Sequence, residues 1–177
     1  MTLHPIFIRT GSPEDNALLA ELGARTFHAT FAKDNTPEDM TAYLAETFGP
    51  EQQAAELADP ATTFLIAEID GKPAGYARLH TGPAPEMITG ERPIEIARLY
   101  TDTQWIGGGV GAALMSAALD YARSNGNDTI WLGVWEHNER AITFYRKWKF
   151  TTVGEQPFRL GADIQRDYVM QRSLAER

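Results

Sequence analysis

The amino-acid sequence predicts one mixed α/β domain over residues 1–177, with elements in the order β-α-α-β-β-β-α-β-α-β-β. Three observations support this fold class. Short β-rich runs alternate with stretches whose apolar residues recur at helical spacing. An Asp70-Gly71 turn between two such runs predicts a hairpin, which favours antiparallel neighbours. A chain of 177 residues is long enough for one domain whose core needs no disulfides.

The composition argues against several classes of function. The chain has 16 Lys and Arg against 24 Asp and Glu, a net charge of −8, whereas nucleic-acid-binding domains usually carry a basic surface. It has no cysteine, which excludes disulfides, thiolate nucleophiles and Cys-ligated metals, and its 4 histidines are scattered, so we expect no metal site. Neither a signal peptide at Met1–Pro5 nor an apolar run of the ~20 residues that span a bilayer is recognisable. We therefore expect a cytoplasmic protein without membrane contact.

In the first half, helix-start signals and apolar runs define the elements. The run Ile6–Ile8 predicts the first strand. Ser12-Pro13-Glu14-Asp15 and Thr36-Pro37-Glu38-Asp39 each predict a helix start, because Ser or Thr caps the first turn and Pro fits the first helical position. Gly49-Pro50 ends the second helix. The remaining elements are a short helical stretch over 51–57 and the hairpin strands, Thr62–Ile69 and Gly75–Leu79.

The second half continues with strands and two helices. The Ala-rich stretch Val110–Ser124 predicts a helix that ends at Asn125-Gly126, a common C-terminal cap. A last helix is predicted over Asn138–Lys147, where apolar residues recur at helical spacing. The predicted strands of this half are Ile94–Tyr100, Thr129–Trp135, Phe150–Val153 and Asp167–Met170.

The most informative motif is a glycine-rich turn between a strand and a helix. It reads Gly107-Gly108-Gly109-Val110-Gly111-Ala112. Glycines let the backbone approach a ligand closely and adopt positive φ. The helix start adds free N–H groups and a partial positive charge. Together these features predict a phosphate or pyrophosphate site.

Two well-known phosphate-binding patterns can be compared with this turn. A P-loop requires GxxxxGK[ST], and the chain contains no Gly-Lys-Ser or Gly-Lys-Thr. Gly107-x-Gly109-x-x-Ala112 satisfies GxGxxA, and Asp128 lies near the place of a ribose-binding acid. A nicotinamide-binding oxidoreductase is therefore one alternative, although that fold requires parallel βαβ units rather than hairpins.

The turn and the last helix resemble the GNAT superfamily of N-acetyltransferases, whose acetyl-CoA loop reads Gln/Arg-x-x-Gly-x-Gly/Ala. Gly109-Val110-Gly111 fits the end of that pattern, while Ile106 stands where the family has Gln or Arg. The block Leu132–Phe150 is similar to the family's fifth strand and last helix, with Lys149 in place of the usual Gly. If Lys149 is the left-handed cap of that helix, Lys149→Gly should stabilise the protein by roughly 1 kcal/mol.

The resemblance covers nearly the whole chain and implies the GNAT fold. This is a mostly antiparallel, twisted sheet of about seven strands with splayed central strands and about four helices. Thr26-Phe27-x-x-Thr30-Phe31 and Gln165-Arg166-Asp167-x-x-Met170 look like the branch that acetylates polyamines such as spermidine and spermine. The implied reaction is direct transfer of an acetyl group from acetyl-CoA to a primary amine, since no cysteine can form an acyl-enzyme.

The resemblance also implies roles for two titratable residues. Tyr145 is the candidate acid that protonates the departing CoA sulfur. Glu95 is the candidate base for the amine, directly or through water, or a group that binds a cationic substrate. In strict β alternation, Glu95 shares a face with Leu99, while Arg98 and Tyr100 lie on the other.

The remaining implied site residues belong to the cofactor or to the acceptor. Most have an ordinary structural alternative: Asn138 is also a good helix cap, Lys147 is also a solvated charge, and the aromatic residues also suit core packing. For acetyl-CoA they are Leu99, Tyr100, Thr101, Gly107, Gly108, Gly109, Val110, Gly111, Ala112, Asn138, Tyr145 and Lys147, and for the acceptor they are Phe27, Phe31 and Tyr43.

The expected partners are acetyl-CoA and a small-molecule amine, and the resemblance allows a homodimer. A second alternative is a module of the same fold that binds acyl-CoA without catalysis, because Ile106 and Lys149 depart from the family pattern.

Overall fold

The computed structural model describes residues 3–175, so Met1, Thr2, Glu176 and Arg177 of the predicted domain lie outside the described residues. Within that range one seven-stranded sheet has the order β1-β2-β3-β4-β5-β7-β6. The strands are β1 (Ile6–Thr10), β2 (Thr62–Ile69), β3 (Lys72–His80), β4 (Pro93–Thr101), β5 (Thr129–Trp135), β6 (Thr151–Leu160) and β7 (Asp163–Ser173). The helices are α1 (Asn16–Phe31), α2 (Pro37–Phe48), α3 (Pro50–Ala58), α4 (Val110–Ser124) and α5 (Glu139–Lys147). The predicted mixed α/β fold is confirmed, and α3 is the short helical stretch expected beyond the four main helices.

The sheet is antiparallel except at its centre, where β4 and β5 run parallel. Their pairing covers Pro93 to Glu95 of β4, with Glu95 opposite Trp131, and it does not continue beyond that point. The two strands therefore diverge, as the predicted splay requires. A sheet with one parallel pair also lacks the run of parallel βαβ units on which a nicotinamide-binding fold depends.

Several turns and helix caps that the sequence predicts are present in the structure. Asp70 and Gly71 both have positive φ, 51° and 74°, which is typical of a type I′ hairpin turn. The Asp39 N–H donates to the Thr36 hydroxyl oxygen at 3.1 Å, so Thr36 caps α2. Lys149 has a φ of 69°, which confirms the predicted left-handed cap of α5.

The last two strands are longer than the sequence predicted. Phe150–Val153 and Asp167–Met170 were expected, whereas β6 and β7 extend over 10 and 11 residues. Because β6 is the edge of the sheet, most of its side chains are exposed or partly exposed, and it contains Pro157. An edge strand of this kind carries little of the apolar pattern that identifies buried strands.

A β-bulge in β4 corrects the predicted alternation. Arg78 of β3 lies opposite Arg98, but the next residue, Leu79, lies opposite Ile96, so Ala97 is an extra residue. The bulge turns Arg98 to the side of α3, where its guanidinium binds Glu56. The strict alternation beyond position 96 is therefore wrong, and Glu95 shares its face with Arg98 and Tyr100.

The core lies on both faces of the sheet. One cluster joins the sheet to α4 and α5 and includes Ile96, Leu114 and Tyr145. Smaller clusters lie on the other face around Leu22 of α1 and Met40 of α2. Among residues 3–175, no helix combines the length and apolar character that crossing a bilayer requires.

Candidate active site

A first cavity of about 290 Å³ opens between the end of β4 and the helices α4 and α5. Seven of the predicted cofactor residues line it: Leu99, Thr101, Gly107, Gly109, Gly111, Ala112 and Tyr145. The glycine turn and the last helix, separated in sequence, thus meet around one space.

The start of α4 forms one wall of the first cavity. Gly107 and Gly109 have positive φ, 81° and 90°, which few other residues adopt without strain. The first intrahelical hydrogen bond runs from the Ala113 N–H to the Gly109 carbonyl at 3.0 Å. The amides of Val110, Gly111 and Ala112 precede it, and no side chain within residues 3–175 caps them. These N–H groups suit an anionic ligand such as a diphosphate.

Five residues that were not among the predicted site residues also line the first cavity. These residues are Trp105, Ile106, Arg140, Ala141 and Phe144. Ile106 was identified as a departure from the family pattern, and its side chain is 44% exposed. Arg140 is exposed near the start of α5. The only available signal for it was a cation one turn before Phe144 and Tyr145, which is common on any solvated helix face.

Five predicted cofactor residues do not line the first cavity. Val110 is fully buried in the core, and the Gly108 N–H donates to the Trp105 carbonyl at 2.9 Å. Asn138 and Tyr100 line the second cavity, and the Asn138 side chain caps α5 by accepting from the Ala141 N–H at 3.3 Å. The fifth, Lys147, is exposed and lines neither of these two cavities.

A second cavity of about 190 Å³ adjoins the first on the side of α1. The two share Leu99, Thr101, Arg140, Ala141 and Tyr145, so they meet at the splay of β4 and β5. Aromatic side chains form part of the second cavity, and polar groups such as Arg98, Asn138 and Asp167 form much of the rest. The aromatic residues are Phe27, Phe31, Tyr100, Trp135 and Phe158.

The predicted acceptor residues divide into two groups. Phe27 and Phe31 line the second cavity, with their ring centroids 4.4 Å apart. Tyr43 does not line it but stacks on Phe27 at 4.5 Å and meets Phe158 edge-on at 5.6 Å. Tyr43 therefore supports the aromatic wall from behind.

Tyr145 lies where the two cavities join. It is 8% exposed, and its hydroxyl makes no hydrogen bond to another residue in the described range. Burial raises the pKa of Tyr145, so the phenol keeps its proton at neutral pH. A protonated phenol at this junction can donate to a group that gains negative charge.

Glu95 lies at the closed end of the splay and is not among the residues that line the two cavities. Burial raises the pKa of Glu95, although the charges of His80, Arg78 and Arg98 oppose that effect. Any contact between Glu95 and a molecule in the second cavity would require water or movement.

Arg98 reaches the second cavity but its charge is already paired. Its guanidinium donates two hydrogen bonds to the Glu56 carboxylate, at 2.7 and 2.8 Å. Burial alone would raise the pKa of Glu56, but the hydrogen bonds and charge of Arg98 outweigh it and hold the pKa below its usual value. The pair is buried, so it fixes β4 against α3.

Asp167 of β7 also lines the second cavity, although it was not among the predicted site residues. It is 9% exposed, and burial raises its pKa to about 6. It appeared in the sequence only within Gln165-Arg166-Asp167. No sequence signal could have identified it, because its burial results from pairing β7 with β5 and β6.

The sequence of the chain matches a known protein family and several relatives over most of its length. A profile described as the acetyltransferase (GNAT) family matches residues 24–150. The chain is 34% identical over 163 residues to an uncharacterized N-acetyltransferase in the pepI 3′ region of Lactobacillus delbrueckii subsp. lactis, which covers 92% of this chain and 94% of that one. It is 36% identical over 156 residues to an uncharacterized N-acetyltransferase of Mycobacterium tuberculosis, covering 88% and 96%.

Solved structures share the fold. The paia N-acetyltransferase from Thermoplasma acidophilum, in complex with coenzyme A, superposes with a TM-score of 0.77 at 22% identity, covering 96% of this chain and 99% of that one. The structure of yncA from Salmonella typhimurium with its cofactor acetyl-CoA superposes with a TM-score of 0.66 at 22% identity, covering 98% and 96%.

Proposed function

The chain belongs to the acetyltransferase (GNAT) family, and we propose that it transfers an acetyl group from acetyl-CoA to a primary amine. One observation carries the proposal: two cavities meet at Tyr145, in the splay between the central strands. A group bound in the first cavity and an acceptor bound in the second can therefore react directly in a ternary complex.

Three features of the first cavity suit acetyl-CoA. The free amides at the start of α4 provide donors for the pyrophosphate. Beyond Glu95, the side of β4 that faces β5 has no strand partner in the described part of the chain. The backbone at Leu99 and Thr101 can therefore bond the pantetheine arm like an added strand. Arg140, at the shared rim, adds a positive charge.

Tyr145 serves as the acid in this proposal. The acceptor nitrogen attacks as a neutral amine, because only that form has a lone pair. As the carbon–sulfur bond breaks, the Tyr145 phenol donates its proton to the sulfur, and the proton lost by the nitrogen restores the phenol. The predicted base, Glu95, would act through water, since it does not line the second cavity.

The acceptor proposed from the resemblance is a polyamine such as spermidine or spermine. The aromatic walls of the second cavity suit the methylene chain of such a molecule, and cations bind well beside aromatic rings. A cytoplasmic location and a homodimer stay predictions.

Acetyl-CoA binding and amine acetylation test the proposal separately. Calorimetry is expected to give a 1:1 complex with acetyl-CoA, and a panel of amines with free thiol as readout is expected to show release of CoA. Binding without thiol release on a broad panel would instead indicate a non-catalytic acyl-CoA-binding module. Absence of binding would refute the proposal as a whole.

A further inference from the structure

Asp167 is a buried carboxylate without a partner in the described part of the chain. It lies on β7 between Trp135 of β5 and Gln156 of β6, and it faces the second cavity. Its Oδ1 atom is fully buried and accepts no hydrogen bond, and the carboxylate forms no salt bridge within residues 3–175. A buried charge in this state is costly unless a ligand compensates it.

The basic residues that line the same cavity do not neutralise Asp167. Arg98 is committed to Glu56 through two hydrogen bonds. Arg140 is exposed and lies at the rim that the two cavities share. Burial is the one cause that shifts the pKa of Asp167, which reaches about 6. The carboxylate is therefore mostly ionised at neutral pH, with no cation of the described chain beside it.

A second unpartnered acceptor lies two residues away on the same face of β7. The Gln165 amide nitrogen donates to Asn35 Oδ1 at 2.6 Å and to Asp163 Oδ2 at 3.0 Å. These bonds fix the orientation of the amide, and its Oε1 atom is buried without a partner. Gln165 does not line the second cavity, so among the described residues Asp167 is the unpartnered acceptor that faces this space, and the matching ligand is a cation with N–H donors.

The position of Asp167 favours a nitrogen that does not react. Tyr145 lines both cavities, whereas Asp167 lines the second cavity alone. A nearby carboxylate also stabilises the ammonium form, and the nitrogen that attacks must be neutral. A carboxylate of this kind is better suited to hold a group that stays charged throughout the reaction.

Building on the proposed acetyl transfer, we propose that Asp167 binds a second, non-reacting ammonium group of the acceptor. The acceptor then carries at least two cationic nitrogens, separated by an apolar chain. The rings of Phe31, Trp135 and Phe158 line the same cavity as Tyr145 and Asp167 and would contact that chain. Asp167 is thus a determinant of specificity rather than the acid or base.

A matched pair of acceptors tests this assignment. 1,4-Diaminobutane and butylamine have the same carbon chain and differ in the second amine. We expect the wild-type protein to prefer the diamine in kcat/KM by about tenfold or more, as a charged hydrogen bond predicts. In Asp167→Asn the preference falls to about one, mainly through a higher KM for the diamine. Asp120→Asn makes the same change at a side chain that is 77% exposed on α4 and keeps the preference.

Equal losses for both acceptors, or an unchanged preference, would overturn the assignment. Thermal unfolding without acetyl-CoA separates it from the proposed reaction: the diamine should raise the Tm of the wild type and not that of Asp167→Asn. Equal shifts in the two proteins, zero included, also overturn it. If the wild type releases no thiol with any amine, the proposed reaction fails, and the Tm comparison still decides the role of Asp167.

Discussion

Replacing Asp167 by Asn should stabilise the protein, and the gain should depend on pH. Burial raises the pKa of Asp167 from an ordinary value of 3.8 to about 6 in the folded protein. The folded state therefore binds this proton more tightly than the unfolded chain, so the free energy of unfolding falls as pH rises from about 4 to about 6. Asn has the same shape and carries no charge, so it avoids this loss.

The size of the expected gain in the free energy of unfolding follows from the two pKa values of Asp167. The rise in the pKa from 3.8 to about 6 corresponds to about 3 kcal/mol of free energy, because a shift of one pKa unit corresponds to about 1.36 kcal/mol. The neighbouring groups leave this titration undisturbed: burial raises the pKa of Tyr43, so it stays neutral, and Arg98 stays paired with Glu56. We expect little difference near pH 4 and a gain approaching about 3 kcal/mol above pH 6.

Urea unfolding of both proteins at a series of pH values from 4 to 8 measures this difference. The exposed substitution Asp120→Asn serves as the control and should change the free energy of unfolding by less than about 0.5 kcal/mol. A gain that is equal at pH 4 and pH 8 would refute the reasoning. A variant less stable than the wild type at pH 8 would show that Asp167 has a stabilising partner.

Three other substitutions test the site and the fold. Tyr145→Phe keeps the ring and removes the proton donor, so kcat should fall by about 10²–10⁴ while calorimetry shows unchanged acetyl-CoA affinity; unchanged turnover would contradict the role of the phenol. Lys149→Gly relieves a φ of 69° and should raise the free energy of unfolding by about 1 kcal/mol in urea titration, and a lower Tm would contradict the cap. Glu56→Ala leaves the Arg98 guanidinium buried and unpaired and should cost about 3–5 kcal/mol, whereas a loss below about 1 kcal/mol would show that the pair adds little.

Much of the fold could be predicted because its signals are local. The bounds of α4, the Asp70-Gly71 turn and the left-handed Lys149 each depend on residues within a few positions of one another. Backbone conformation and helix capping operate at that range, so one sequence is enough to identify them. The glycine turn is also a local signal, and for that reason most of the residues predicted around it line the first cavity.

The lining of the second cavity was predicted less completely, because segments far apart in the chain build it. Phe27 and Phe31 were identified as candidates, but Tyr43 proved to support the wall without lining it. Arg140 was missed, since a cation on an exposed helix face is unremarkable in sequence. The motif Gln165-Arg166-Asp167 contributed to the resemblance, but nothing in it indicates that the Asp167 carboxylate is buried.

The sequence by itself determined the mixed α/β class, the order of the elements, the glycine turn and the position of Tyr145 on the last helix. Tertiary structure alone decided two features. The bulge at Ala97 placed Arg98 against Glu56, and strand pairing on both sides of β7 buried Asp167. The physical reason is that register and burial are set by partners far apart in the chain, and a shift of one residue moves a side chain to the opposite face of a sheet.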